Sequence, residues 1–183
     1  MRIRNETDFE KLVLARELVA RGLRTYMISS LTDMSPHEVR KLHHCMGHSL
    51  TDKVGHASST ASICRSLIAQ IRFSVHAVIL RKGCLESFEG RIDPVALIRH
   101  FDTAQALCPI PELNLSQAWT LLTELRLGVV ALRECRRCGS LYLQVFDQPR
   151  LSLSCPFCAM RKRIARRQEK ASRFALGEHG NDR

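Results

Sequence analysis

No stretch of this 183-residue chain is apolar and uncharged for long enough to cross a bilayer; runs such as Leu127–Leu132 are far too short. The opening residues, Met-Arg-Ile-Arg-Asn-Glu-Thr-Asp, are charged and no apolar run follows them, so no secretory signal is expected. The sequence also lacks a phosphate-cradling glycine loop, a nucleophile elbow and a His-Glu metal helix, which argues against an enzyme. His76 and His100 stand alone within apolar helical segments and read as core or edge residues. There is no internal repeat and no low-complexity tract. With 45% hydrophobic residues, wholesale disorder is not expected either. What remains is a soluble, cytoplasmic, folded chain. In that reducing setting eight cysteines read as free or metal-bound rather than as disulfides.

Charge is abundant and uneven. The net is +10. Residues 133–183 hold twelve Lys/Arg against five Asp/Glu, a net of +7, which leaves +3 for residues 1–132. Basicity concentrated at one end suggests an anionic partner, most often nucleic acid, although a solubilising tail has the same composition.

The first 128 residues read as helices. Thr7-Asp8-Phe9-Glu10 has the form of a capping box, with Phe9, Leu12, Val13, Leu18 and Val19 at helical spacing and Gly22 as a stop. A short helix over roughly 23–31 follows, carrying Leu23, Tyr26, Met27 and Leu31. Ser35-Pro36-His37-Glu38 then caps a third helix reaching Met46, with Val39, Leu42 and Met46 inward. Helix, tight turn and helix resemble a helix-turn-helix, with His37, Arg40, Lys41 and His44 on the outer face. That face could touch DNA or simply be solvated. His43, His44, Cys45 and His48 are close enough in sequence for two of them to share a metal, but no fourth donor is evident.

Residues 47–59 look like a loop. One long helix is expected from Thr60 to Lys82, ending at Gly83, with Ile63, Leu67, Ile68, Ile71, Val75, Val78 and Ile79 as its inward stripe and Cys64 as a small core residue. Asp93-Pro94 caps a helix to Leu107. Another spans Leu115–Leu127, with Trp119, Leu122 and Leu121 or Leu125 inward. Past Gly128, Val129–Leu132, Leu141–Val145 and Leu151–Ser154 read as strands, and Ala159–Leu176 as a basic helix. The fold class is therefore mainly α. A helical body with a helix-turn-helix-like start occupies 1–128, a small zinc-ribbon-like β module 129–160, and a basic helix and tail 161–183.

Cys135-Arg-Arg-Cys138 and Cys155-Pro-Phe-Cys158 flank sixteen residues. Two residues between cysteines let both sulfurs of a knuckle face one ion, and the intervening hairpin brings the knuckles together. This spacing predicts one Zn2+ held by Cys135, Cys138, Cys155 and Cys158, with Arg136, Arg137 and the knuckle backbone amides helping to stabilise the thiolates. Four sulfurs leave no open position, so the site is structural rather than catalytic. The strands are too short for a core of their own, which predicts metal-dependent folding of the module. Directly behind the last cysteine, Arg161, Lys162, Arg163, Arg166 and Arg167 place five cations in seven residues, followed by Lys170 and Arg173. Such a helix repels itself unless phosphates screen it. Arg161, Lys162, Arg163, Arg166, Arg167, Arg40 and Lys41 are the candidate DNA contacts.

Gln117-Ala-Trp119-Thr-Leu-Leu, the apolar run to Leu132, the two cysteine pairs with Pro149 between them, and the basic stretch after Cys158 resemble the C subunit of the bacterial flagellar master transcriptional regulator, the FlhC family. Arg16-Glu-Leu-Val-Ala-Arg-Gly22, the capped third helix and Phe73-Ser-Val-His-Ala-Val-Ile-Leu-Arg-Lys-Gly83 extend the likeness, which runs from about Glu10 to Arg167. Residues 47–59 depart from the family pattern, without its proline cluster and tryptophan. The resemblance implies a transcription activator that works in a hetero-oligomer with a small helical D subunit, binds promoter double-stranded DNA upstream of flagellar operons and helps recruit RNA polymerase. The alternative is a zinc-ribbon scaffold protein whose basic tail binds an acidic protein. Broad apolar faces on several helices further predict a chain that needs its partner for solubility.

Overall fold

The computed structural model describes residues 6–47, 58–84, 90, 92–111, 113–146, 148, 151 and 154–177. The helices are α1 (Glu6–Ala20), α2 (Thr25–Thr32), α3 (Pro36–Cys45), α4 (Thr60–Ile63), α5 (Leu67–Gly83), α6 (Pro94–Leu107), α7 (Leu115–Arg126) and α8 (Pro156–Gly177). Between α7 and α8, strands β1 (Val130–Glu134) and β2 (Leu141–Val145) pair antiparallel, with Leu132 opposite Leu143. The protein is thus mainly helical with one small hairpin, as its sequence pattern implies. Among the described residues no helix is long and apolar enough to cross a membrane.

Local chemistry sets most boundaries. Gly22 takes φ 78°, and Leu23 N–H reaches back to Leu18 O (2.9 Å), closing the end of α1 in a left-handed turn that a side chain would strain. At α3, Glu38 N–H donates to Ser35 Oγ (3.3 Å) and Ser35 N–H donates to the Glu38 carboxylate (3.0 Å), a complete capping box with Pro36 in the first turn. The Ser35 hydroxyl, which donates to the same carboxylate (2.8 Å), and the Ser35 N–H hold the Glu38 carboxyl below its usual pKa. Asp93 caps α6 through Val95 N–H (2.9 Å). Asn114 and Gln117 form a second capping box at α7, which the sequence reading had not singled out.

Five expectations need correction. Thr7 lies inside α1, which already runs from Glu6, so it caps nothing. Phe9 and Val13 are 54% and 51% exposed; the buried residues of α1 are Ala15, Leu18 and Val19. The expected 60–82 helix is two helices. Ser59 caps α4 at the expected start, and Ser66 caps α5 by accepting from Ala69 N–H (3.1 Å), so that Ser66 competes with continuous helix at residues 64–66. The inward face of α5 is Gln70, Phe73, Ser74, His76, Ala77 and Leu80, whereas Leu67, Ile71, Val75, Val78 and Ile79 are half-buried and Ile68 is exposed. Finally, α8 starts at Pro156, three residues earlier than Ala159, so Cys158 lies in its first turn. The expected loop falls mostly on 48–57, and the middle of the expected third strand on 152–153; both lie outside the described residues.

One core joins the layers. Leu18, Leu23, Met27, Ile28, Leu80, Leu97, Leu115, Leu121 and Leu122 pack with Val130, Leu143, Val145 and Leu151 of the hairpin region. Helices α1, α2 and α3 contact one another; α5 contacts α6, α7, both strands and α8. The long-range ion pair of Arg21 Nη1 with Asp102 (2.5 Å) ties α1's end to α6. Trp119 is half-buried, edge-on to Tyr26 with ring centroids 6.0 Å apart.

Candidate metal centre and basic helix

The four cysteines converge. Cys135 Sγ lies 3.8 Å from Cys158 Sγ, Cys138 Sγ lies 3.7 Å from Cys155 Sγ, and all four ligand atoms fall within 4.8 Å of one another. Metal–sulfur bonds of about 2.3 Å in a tetrahedron require sulfur separations of about 3.8 Å, so the donor set fits a four-coordinate ion without rearrangement. Among the described residues this is the one such cluster.

The first knuckle follows β1 and the second opens α8. Gly139 N–H donates to Cys135 O (2.8 Å) and Cys135 N–H to Ser140 O (3.0 Å), with Gly139 at φ 69° closing the turn. Cys155 is buried just before α8, and Ala159 N–H donates to its carbonyl (3.1 Å). Hydrogen bonds from the Ser140 hydroxyl and amide hold the Cys138 thiol down to about 6. Cys158 is pushed up to about 12, first by the Cys138 sulfur beside it, and burial raises Cys155. Cys138 is favoured as a thiolate while Cys155 and Cys158 resist ionising beside it, until a divalent cation compensates their charge. The Ser140 amide is one of the knuckle backbone donors expected to stabilise the thiolates, and its hydroxyl adds a second; Arg136 and Arg137 are exposed.

Among the described residues, the remaining cysteines and histidines do not join this site. Cys64 and Cys84 are buried, their thiols pushed up to about 12 and about 11 by burial, and so inert. His43 is buried, while His44 and Cys45 are exposed, so these three do not converge; His48 lies outside the described residues. His76 is fully buried, donates from Nε2 to Cys108 O (2.8 Å), has no partner at Nδ1, and is held below the usual histidine pKa by burial.

Beyond Met160, α8 leaves the body: every residue from Arg161 to Ser172 is exposed. Lys162, Arg163, Arg166, Arg167 and Lys170 line one shallow groove along the helix with Ala159, while Arg161 lies outside it. Glu169 is the single carboxylate in the 161–172 stretch. Among the described residues none of these cations has an ion-pair partner. Arg40 and Lys41 are exposed on α3, apart from this groove.

Residues 3–171 match the family described as flagellar transcriptional activator (FlhC). The flagellar transcriptional regulator FlhC of Yersinia enterocolitica is 26% identical over 165 residues, covering 88% of this chain and 85% of the relative. Its namesakes from Serratia marcescens and Xenorhabdus nematophila are each 24% identical, over 176 and 171 residues, covering 92% and 88% of this chain and 88% and 85% of theirs. These relatives are named as regulators, a role that is not enzymatic. With nearly its whole length matched, and with four cysteines drawn to one point, this chain belongs to the flagellar transcriptional activator (FlhC) family.

Proposed function

We propose that this chain is the zinc-containing, DNA-binding subunit of a cytoplasmic transcription-activating complex. The observation that carries the reading is α8: an exposed helix with a continuous cationic face, anchored by its first turn to the four-cysteine site. Lone cations on a free helix are costly to crowd together, and duplex phosphates relieve that cost. Zn2+ is the ion that four cysteines at this spacing suit best, and its role is to lock the knuckles and the base of α8. Arg161, Lys162, Arg163, Arg166 and Arg167 then contact the DNA backbone, with Arg40 and Lys41 as a second contact from the helix-turn-helix-like pair. The division into 1–128, 129–160 and 161–183 is one of roles: partner contact, metal anchor and DNA arm.

The partner reading is a small helical D subunit, with RNA polymerase engaged by the assembled complex at promoter DNA. It is supported by exposed apolar side chains: Phe9, Val13 and Val95 face one groove between α1 and α6. Patches of this kind on a chain of this size usually mark an interface. Phosphate contacts position a protein but read little sequence, so operator choice belongs to the complex. The test is size-exclusion with light scattering, with and without the D subunit, followed by duplex binding of each peak. A soluble hetero-oligomer that binds its operator supports the reading; a stable monomer that binds the operator unaided counts against it. The competing reading, an acidic protein on α8, predicts that neither peak shifts a duplex.

A further inference from the structure

Among the described residues, strand β2 has β1 on one side only. Its other edge would present bare N–H and C=O groups to the core, which is costly where water is excluded. The structure meets this need with side chains from α5. Gln70 Nε2 donates to Leu143 O (3.0 Å), and Leu143 N–H donates to Ser74 Oγ (2.9 Å). The Ser74 hydroxyl in turn donates to Gln70 O (2.6 Å), one helical turn back. Gln70 and Ser74 are each 1% exposed, and Leu143 is fully buried. A donor and an acceptor four residues apart on a helix therefore satisfy both backbone groups of a single strand residue, as a neighbouring strand would.

We propose that Gln70 and Ser74 act together as a surrogate strand for β2, and are the positioning residues that hold the cysteine-bearing hairpin, and α8 behind it, in one orientation on the helical body. Two bonds of opposite polarity to one residue fix register. A slip of β2 by one residue would present groups that face β1 instead, and would turn Leu143 out of the core. The links run in series. Gln70 and Ser74 hold Leu143; the hairpin carries Cys135 and Cys138; their sulfurs meet those of Cys155 and Cys158; and Cys158 begins α8. Among the described side chains of α8, packing is confined to its base, where Pro156 is buried and Phe157 and Met160 are half-buried. The direction in which the cationic arm points thus depends on two polar side chains on a helix remote from it in sequence.

The experiment uses the full-length, zinc-loaded chain and needs no DNA, so it stands apart from the DNA reading. Backbone residual dipolar couplings report whether β1, β2 and α8 share one alignment tensor with α5 and α7. Native-state exchange reports the Leu143 amide. In the wild type we expect one tensor and a protected Leu143 amide. In Ser74→Ala combined with Gln70→Met, zinc content should stay unchanged, Leu143 exchange should rise by about tenfold or more, and the couplings of the hairpin and α8 should no longer fit the body's tensor. A double variant that keeps the common tensor overturns the proposal. Should that variant fail to fold, the wild type decides alone: a Leu143 amide that exchanges as fast as an exposed one overturns the clasp, and a protected one supports it.

Discussion

Gly83→Ala isolates a packing requirement that is visible only in three dimensions. Gly83 ends α5 without a positive φ, so it is not there to reverse the chain. A Cβ built on it would overlap Cγ, Cδ2 and Nε2 of His100, the face of a ring carried by α6. Overpacking of this kind costs about 1–3 kcal/mol. Alanine recovers at most about 1 kcal/mol of helix propensity, and less at a last helical position. Because His100 is half-buried, its ring can turn part of the way out. The net expectation is a destabilisation of about 1–2 kcal/mol, or a fall in Tm of roughly 2–8 °C for a chain of this size. Urea unfolding of Gly83→Ala, His100→Ala and the double variant forms the cycle that measures it. The substitution should cost stability with His100 present and little without it, giving a coupling of about 1–2 kcal/mol. A Gly83→Ala chain that gains stability in both backgrounds would refute the close crossing of α5 and α6.

Two further outcomes follow from other parts of the molecule. Cys138→Ala should lose the metal by elemental analysis. Because Val130, Leu143 and Val145 belong to the main core, the loosening should reach α5 and α7 in hydrogen exchange; retained metal, or loosening confined to 129–160, would contradict this. Burial lowers the pKa of His76, so the unfolded chain takes up a proton that the folded chain resists. Its contribution to stability is present above about pH 6.5, the unfolded value, and is lost as pH falls from there through the lowered folded pKa. The urea midpoint of the wild type should therefore drop on acidification more steeply than that of His76→Gln, and parallel profiles would exclude His76 as the cause.

The sequence was most informative where chemistry is local. Ser35, Pro36 and Glu38 announce α3 because a capping box needs only neighbours, and the two cysteine pairs announce the metal site because spacing alone brings their sulfurs to one point. Local signals also misled. Thr7 and Glu10 have capping-box spacing, yet the helix runs through them. The Ser66 cap that splits the long helix was present in the chain, but an unbroken apolar period concealed it. The stripe Ile68, Ile71, Val75 and Ile79 is as hydrophobic as a core face should be, yet α5 buries Gln70 and Ser74 instead. Those two are wanted inside only because β2 arrives there, from some seventy residues away, with an unpaired edge. No periodicity within α5 encodes that demand. Likewise, Gly83 reads as a helix stop until His100 is placed against it.

The central claim is that the cationic face of α8 meets duplex phosphates, and the salt dependence of binding tests it most directly. Duplex affinity should be measured across a salt series for the complex with the wild-type chain and with Arg163, Arg166 and Arg167 replaced by Ala. Each lost phosphate contact lowers the log–log slope by about 0.9, so three contacts predict a fall of about 2.7 with weaker binding at every salt concentration. An unaltered slope would place α8 away from the DNA and contradict the account.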